Sequence, residues 1–135
     1  MNSKNTPAVL QKWHALAASG DPAGLDALIA DDAVFHSPVV HRPQVGKALT
    51  TLYLSAAFQV LGNDSFRYVR EVVDGDNAVL EFEVEVDGIH INGVDMIRWN
   101  ADDQIVDFKV MVRPLKAVNM LHQKMMAMLE AFQKG

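Results

Sequence analysis

Between residues 80 and 86 apolar and acidic side chains alternate without a break: Leu80, Phe82, Val84 and Val86 against Glu81, Glu83 and Glu85. Period two marks a strand with one buried and one wet face. Turn residues bracket it, Asp74-Gly75-Asp76-Asn77 on one side and Asp87-Gly88 on the other, both suited to tight hairpins. The pattern predicts a strand over Phe66 to Val73, this one, another over Ile89 to Trp99, and a last from Gln104 to Val112. Asn100-Ala101-Asp102-Asp103 makes the third turn.

Upstream the period lengthens. Val9, Leu10, Trp13, Leu16 and Ala17 recur at helical spacing, with Pro7 in the first turn, Thr6 or Asn5 as cap, and Ser19-Gly20 as stop. Asp21-Pro22 restarts the chain as a second helix with Leu25, Leu28 and Ile29 on one side, running out through Asp31 and Asp32. A short strand is expected over Val34 to Val39, then a loop through His41-Arg42-Pro43-Gln44-Val45-Gly46. Lys47 to Leu61 reads as a long helix closed by Gly62-Asn63-Asp64. Pro114 opens a last helix reaching about Phe132.

Helix, helix, strand, helix and then an antiparallel meander is an α+β plan. The sheet has to curl around the N-terminal helices to cover their apolar faces, and a curled sheet closed at one end leaves a conical cavity. With 135 residues, no repeats and no linker, one domain over residues 1–135 is expected. A formal net charge of -5 argues against a nucleic-acid or anionic-membrane surface. The chain has no cysteine, hence no thiolate metal site or thiol nucleophile. No histidine pair has metal-ligand spacing, so neither metal nor cofactor is expected. The N-terminal residues lack an apolar signal core and no apolar run has membrane-span length, so the expectation is a cytoplasmic protein.

Four short segments carry a family resemblance. They are Ala18-Ser19-Gly20-Asp21 after the first helix, Ala30-Asp31-Asp32-Ala33-Val34 before the first strand, Gly46 opening the long helix, and Arg98-Trp99-Asn100 with Gln104-Ile105-Val106 around the last turn. In this order and spacing, over roughly residues 7 to 113, the chain resembles the nuclear transport factor 2-like superfamily. That superfamily includes ketosteroid isomerase and the SnoaL-like polyketide cyclases. The resemblance implies a conical α+β fold with an extra C-terminal helix, and a pocket. Carried over by position, the isomerase's general-base aspartate falls on Ser37, its oxyanion-binding tyrosine on Trp13, and its second oxyanion donor on Asp95. A serine cannot serve as that base unaided, so standard isomerase chemistry is not implied.

Asp95 is the sharpest candidate. It shares parity with Ile91, Ile97 and Trp99 on the expected concave face, where apolar surroundings favour a neutral acid that donates to a developing oxyanion. The plainer alternative is pairing with a buried neighbour or solvation at the mouth. His41, in the loop, is the candidate base, against a solvated loop histidine. His36 and Ser37, being adjacent, point to opposite faces and make no nucleophile–base pair. Phe35, Tyr53, Phe58, Phe82, Ile97, Phe108, Val110 and Val112 are expected inside, divided between core and ligand wall, with Trp13 and Ser37 beside them.

Glu81, Glu83 and Glu85 share the outer face with Arg98, Asp107, Lys109 and Arg113, and that face also carries Val79, Met96 and Met111. Cross-strand charge pairs and a homodimer contact are the expectation there. The last helix carries Leu115, Val118, Leu121, His122, Met125, Leu129 and Phe132 as one stripe flanked by further methionines. That suits capping the cone, contacting another subunit, or plain core packing. The functional expectation is a pocket for a small, largely apolar molecule bearing a carbonyl or hydroxyl, with acid-assisted isomerase, cyclase or dehydratase chemistry. The alternative is a non-catalytic binder or a dimeric interaction domain.

Overall fold

Helix α1 runs over Ala8–Ser19 and buries Val9, Leu10 and Trp13 in a computed structural model that describes residues 6–134. Gly20 ends it at φ 70°, its N–H donating to the Leu16 carbonyl, a left-handed cap open to a residue without Cβ. Pro7 precedes the helix and no side chain caps it; Asn5, one of the two expected caps, lies outside the described residues. The Asp21 carboxylate accepts the Ala23 N–H at 2.9 Å, so the expected restart is in place.

The second helix is shorter than its periodicity suggests. A 3₁₀ turn, Pro22–Gly24, leads into one helical turn, α2, Leu25–Leu28. Ile29, expected on that helix, already belongs to strand β1, Ile29–His36. The strand expected over Val34 to Val39 thus begins earlier and ends earlier. Ile29 finds a partner in Ile105, the register then shifts, and Val34 to His36 pair with Asp107 to Lys109, leaving Asp31 and Asp32 exposed. Past His36 the Ser37 hydroxyl accepts the Val39 N–H, and Pro38 has no N–H to offer a ladder.

The expected loop also holds a strand. Gln44–Val45, β2, pairs antiparallel with Phe35 and Val34. Gly46, at φ 105°, then turns the chain into α3, Lys47–Leu61, with the predicted limits.

Strands β3 (Arg67–Asp74), β4 (Asn77–Val86), β5 (Ile89–Trp99) and β6 (Ile105–Arg113) form the meander. The sheet order is β2-β1-β6-β5-β4-β3, with β1 parallel to β6. The sheet is therefore mixed, a correction to the purely antiparallel expectation: β1 lies beside β6 although α3 and the rest of the meander intervene in sequence. Asp87 and Gly88, at φ 52° and 78°, make the two-residue turn that matches strand twist.

Two local departures shape the concave face. Val69 has no partner on β4, so β3 bulges there: Tyr68 pairs with Phe82, and Arg70 with Glu81. On β5, a Cβ at Gly93 would stand 2.5 Å from Phe82 Cζ and 2.8 Å from the Met111 carbonyl oxygen. The missing side chain is what seats the Phe82 ring.

The core lies between this face and helices α1 and α3, with Leu80, Phe82, Ile91, Ile97 and Phe108 fully enclosed. Helix α4, Leu115–Lys134, closes one side with Ala117, Leu121 and Met125. Its buried stripe is narrower than expected, because Leu115, His122 and Phe132 are exposed. On the convex face Arg67 and His90 bond Glu83, and Arg70 bonds Glu81, around exposed Val72, Val79, Met96 and Met111.

Candidate functional site

Alternation along β5 turns Asp95 inward, and Asp95, 6% exposed, is the most deeply buried acidic residue among the described residues. A carboxylate placed there without a partner would cost several kcal/mol. Its partner is the Tyr68 hydroxyl, which donates to Asp95 Oδ2 at 2.6 Å. The same hydroxyl oxygen accepts the Trp13 indole N–H at 2.8 Å. The order is directional: Trp13 donates to Tyr68, and Tyr68 donates to Asp95. Each bond polarises the next in a low-dielectric setting.

Electrostatics follows from this burial. Loss of hydration pushes the Asp95 carboxyl up to about 7, against the lowering pull of the Tyr68 bond. Burial, and then the neighbouring Asp95 charge, hold the Tyr68 phenol well above its ordinary value. The phenol therefore stays protonated while the carboxyl changes state near neutral pH. An ionised Asp95 costs the fold about 4 kcal/mol relative to the unfolded chain. The native state binds that proton more tightly than the unfolded chain, so the penalty is absent below about pH 4. It grows as pH rises, and it is complete above about 7.

A cavity of about 60 Å³ adjoins Asp95, with otherwise almost wholly apolar walls. Trp13 and Ala17 contribute from α1, Phe58 and Leu61 from α3, Phe66, Tyr68 and Phe82 from the β3–β4 side, and Phe108 and Val110 from β6. Phe35 and Pro38 stand on another side, and Leu121 and Met125 of α4 close it. Trp13 meets two of these rings at a tilt, with centroids 4.8 Å from Phe108 and 5.5 Å from Phe58.

The expected site residues divide. Trp13, Phe35, Phe58, Phe82, Asp95, Phe108 and Val110 line the cavity. Tyr53 is not in its wall and instead packs on Phe35, centroids 5.5 Å apart. Ile97 is sealed in the core. Ser37, His41 and Val112 line a separate outer cleft of about 380 Å³, with His36 and Lys109. The chain has left the β1 ladder before Ser37, so strand parity no longer aims its side chain inward. His36 is held by Asp107 at 3.0 Å. Among the described residues, no histidine and no second carboxylate lines the cavity, and no three potential ligands gather to hold a metal ion.

The cavity residue that periodicity misses is Tyr68. Counting back from the Asp74–Asn77 turn in strict pairs sets Val69 opposite Phe82 and turns Tyr68 outward. The bulge at Val69 reverses this and puts Tyr68 inside. Glu71 points inward as well, opposite Leu80, and pairs with His14 of α1 at the edge of the Tyr68 ring.

A family model described as a SnoaL-like domain matches residues 10–108. A steroid delta-isomerase from Pseudomonas aeruginosa is 38% identical, with a TM-score of 0.89 over 95% of this chain and 93% of that one. A bacterial protein with a cystatin-like fold from Silicibacter pomeroyi is 32% identical, with a TM-score of 0.82 over 89% of this chain and 84% of that one. A polyketide cyclase-like protein from Sinorhizobium meliloti, described as putative, shares the fold at 18% identity. Its TM-score is 0.65, over 82% of this chain and 100% of that one. No functionally curated protein matches the chain.

Tyr68→Phe removes the donor to Asp95 and leaves the Trp13 N–H without an acceptor. The expected loss of stability is about 1–3 kcal/mol. It should be larger at pH 8, where the acceptor is charged, than at pH 5, as urea unfolding at both values will read. An equal loss at the two pH values would contradict a bond to a titrating carboxyl.

Proposed function

The chain belongs to the SnoaL-like domain family within the nuclear transport factor 2-like superfamily, and from that premise we propose that it binds a small, neutral, largely apolar molecule by its carbonyl or hydroxyl oxygen at Asp95. The observation that carries this reading is the one carboxyl at the wall of an aromatic cavity, poised by Tyr68 and raised to about 7. In the neutral acid, Oδ2 continues to accept from Tyr68 while Oδ1 carries the proton toward the ligand oxygen. Such a donor stabilises negative charge as it develops on that oxygen, the step shared by enolisation, cyclisation and dehydration. The 38% identical relative is named a steroid delta-isomerase, which supports isomerisation as the reaction class.

The proton economy sets the limits of the chemistry. With no second carboxylate or histidine among the described residues of the cavity wall, a carbon-bound proton has to leave to water or to Asp95 itself. Ser37, at the position of the isomerase's base, lines the outer cleft instead. His41 lines the same cleft, which separates it from the acid it was expected to assist. These placements support a second reading, in which the same residues bind a ligand and turn nothing over.

The exposed apolar residues of the convex face, Val72, Val79, Met96 and Met111, support a homodimer formed sheet to sheet, ringed by the Arg67–Glu83 and Arg70–Glu81 pairs. Sedimentation of the wild type should give twice the chain mass at micromolar concentration, and Met96→Asp should give the monomer mass. A monomeric wild type would contradict the dimer.

Thermal unfolding against cyclic ketones, enones and phenols, with Asp95→Asn beside the wild type, tests the binding reading. A ligand at about 100 times its Kd adds roughly 2.7 kcal/mol of stability. The wild type should be stabilised and Asp95→Asn much less so. Conversion of a β,γ-unsaturated ketone by the wild type, lost in Asp95→Asn while the fold persists, favours the enzyme over the binder. Equal stabilisation of both proteins by every compound would contradict the role given to Asp95.

A further inference from the structure

The cavity beside Asp95 is small, about 60 Å³, well below the roughly 300 Å³ from which pockets for drug-sized ligands begin. A second space lies against it. Between the C-terminal ends of α1 and α3 an open cleft of about 400 Å³ faces solvent, with His14, Asn63 and Arg67 among its polar walls. Cavity and cleft share four wall residues: Ala17, Gly62, Phe66 and Tyr68. Alanine and glycine offer little or no bulk there. The Tyr68 ring is fixed at its hydroxyl by Trp13 and Asp95. Of the two aromatic rings on that boundary, Phe66 is the one with no part in the Trp13–Tyr68–Asp95 hydrogen bonds.

That ring is held as a wall. It stacks on Phe82 with centroids 5.2 Å apart and 23° between planes, and meets Tyr68 edge-on at the same separation. Its backbone is anchored too. Asn63 and Ser65, just before it, are clamped to the end of β4 through the Glu85 peptide. Asn63 Nδ2 donates to the Glu85 carbonyl at 2.8 Å, the Glu85 N–H donates to Ser65 Oγ at 2.9 Å, and the Ser65 hydroxyl donates to Asn63 Oδ1. A side chain this constrained limits size by standing still.

We infer that Phe66 is the specificity-determining partition of the site, restricting it to monocyclic hydroxyl- or carbonyl-bearing molecules and excluding fused-ring ones. The inference rests on the reading of Asp95 as the ligand's polar anchor. It gives the outer cleft a role as well: it is the space a larger molecule would occupy once the partition is reduced. The cavity also borders the His41 cleft, across Pro38 and Val110. That boundary is built from a proline and a strand residue whose β-branched side chain is nearly enclosed, and it gives the comparison for Phe66.

The experiment compares phenol with 2-naphthol, which carry the same hydroxyl on one ring and on two. Binding is read by calorimetry and by naphthol fluorescence in the wild type, Phe66→Ala, Phe66→Leu, Val110→Ala and Asp95→Asn. Cooperative urea unfolding checks each fold. If Phe66→Ala does not fold, Phe66→Leu, which keeps most of the apolar volume, carries the comparison. The expected result is that the wild type prefers phenol at least tenfold. Reducing Phe66 should tighten 2-naphthol at least tenfold, with Leu intermediate, and by at least tenfold more than Val110→Ala, which enlarges the cavity on its other side. The inference is overturned if phenol binds in an Asp95-dependent way while 2-naphthol affinity is unmoved by either Phe66 variant, or if Val110→Ala is the variant that admits it. Failure of both compounds to bind any variant through Asp95 would instead sink the anchor reading, and the inference with it.

Discussion

Asp95 is carried into an aromatic interior by the alternation of β5, and the hydroxyl of Tyr68 meets it there at 2.6 Å. Much of the architecture answers to that one bond. Tyr68 gets inside because β3 bulges at Val69, and its oxygen is oriented because Trp13 of α1 donates to it. Helix α1, strand β3 and strand β5 are thereby tied at one buried point. The burial that makes the carboxyl expensive to ionise also makes it useful. A group neutral on one side of pH 7 and charged on the other can give or take a proton where cells operate.

The rest of the concave face serves this point by excluding water. Gly93 lets the Phe82 ring lie against the sheet, Phe66 stacks on Phe82, and Trp13 rests against Phe58 and Phe108. Helix α4 contributes Leu121 and Met125 to the same enclosure while leaving Leu115 and Phe132 in solvent. Low dielectric then strengthens each polar contact that remains inside. A single acid in such surroundings is a strong hydrogen-bond donor and a poor proton relay, since no histidine or second carboxylate among the described residues shares the wall.

The readable parts of this fold were those with local causes. Helix α3 is bracketed by Gly46 and Gly62, and its limits follow from them. The β4–β5 hairpin follows from strict alternation and the Asp87-Gly88 turn, and with it the inward aim of Asp95. What parity could not give depended on pairing between distant segments. Ile29 joins a strand because Ile105 is there to pair with it, and Gln44–Val45 because β1 offers an edge. Tyr68 lies 55 residues from Trp13, and a single unpaired residue decides which face it occupies. Ser37, His41 and Val112 gather in an outer cleft because β1 ends before Ser37 and leaves that part of β6 uncovered. Chemistry was legible as residue types; the bulge and the strand end fixed which of them meet.

The proposed chemistry requires Asp95 to be a buried, hydrogen-bonded carboxyl in the free protein. A carbon-13 NMR titration of the Asp95 carboxyl, assigned by its loss in Asp95→Asn, measures this without a ligand or an assay. A midpoint at about 7 is the result this structure predicts. A midpoint near 4, ordinary for an aspartate in water, would mean a solvated charge at that position and would contradict the site as described.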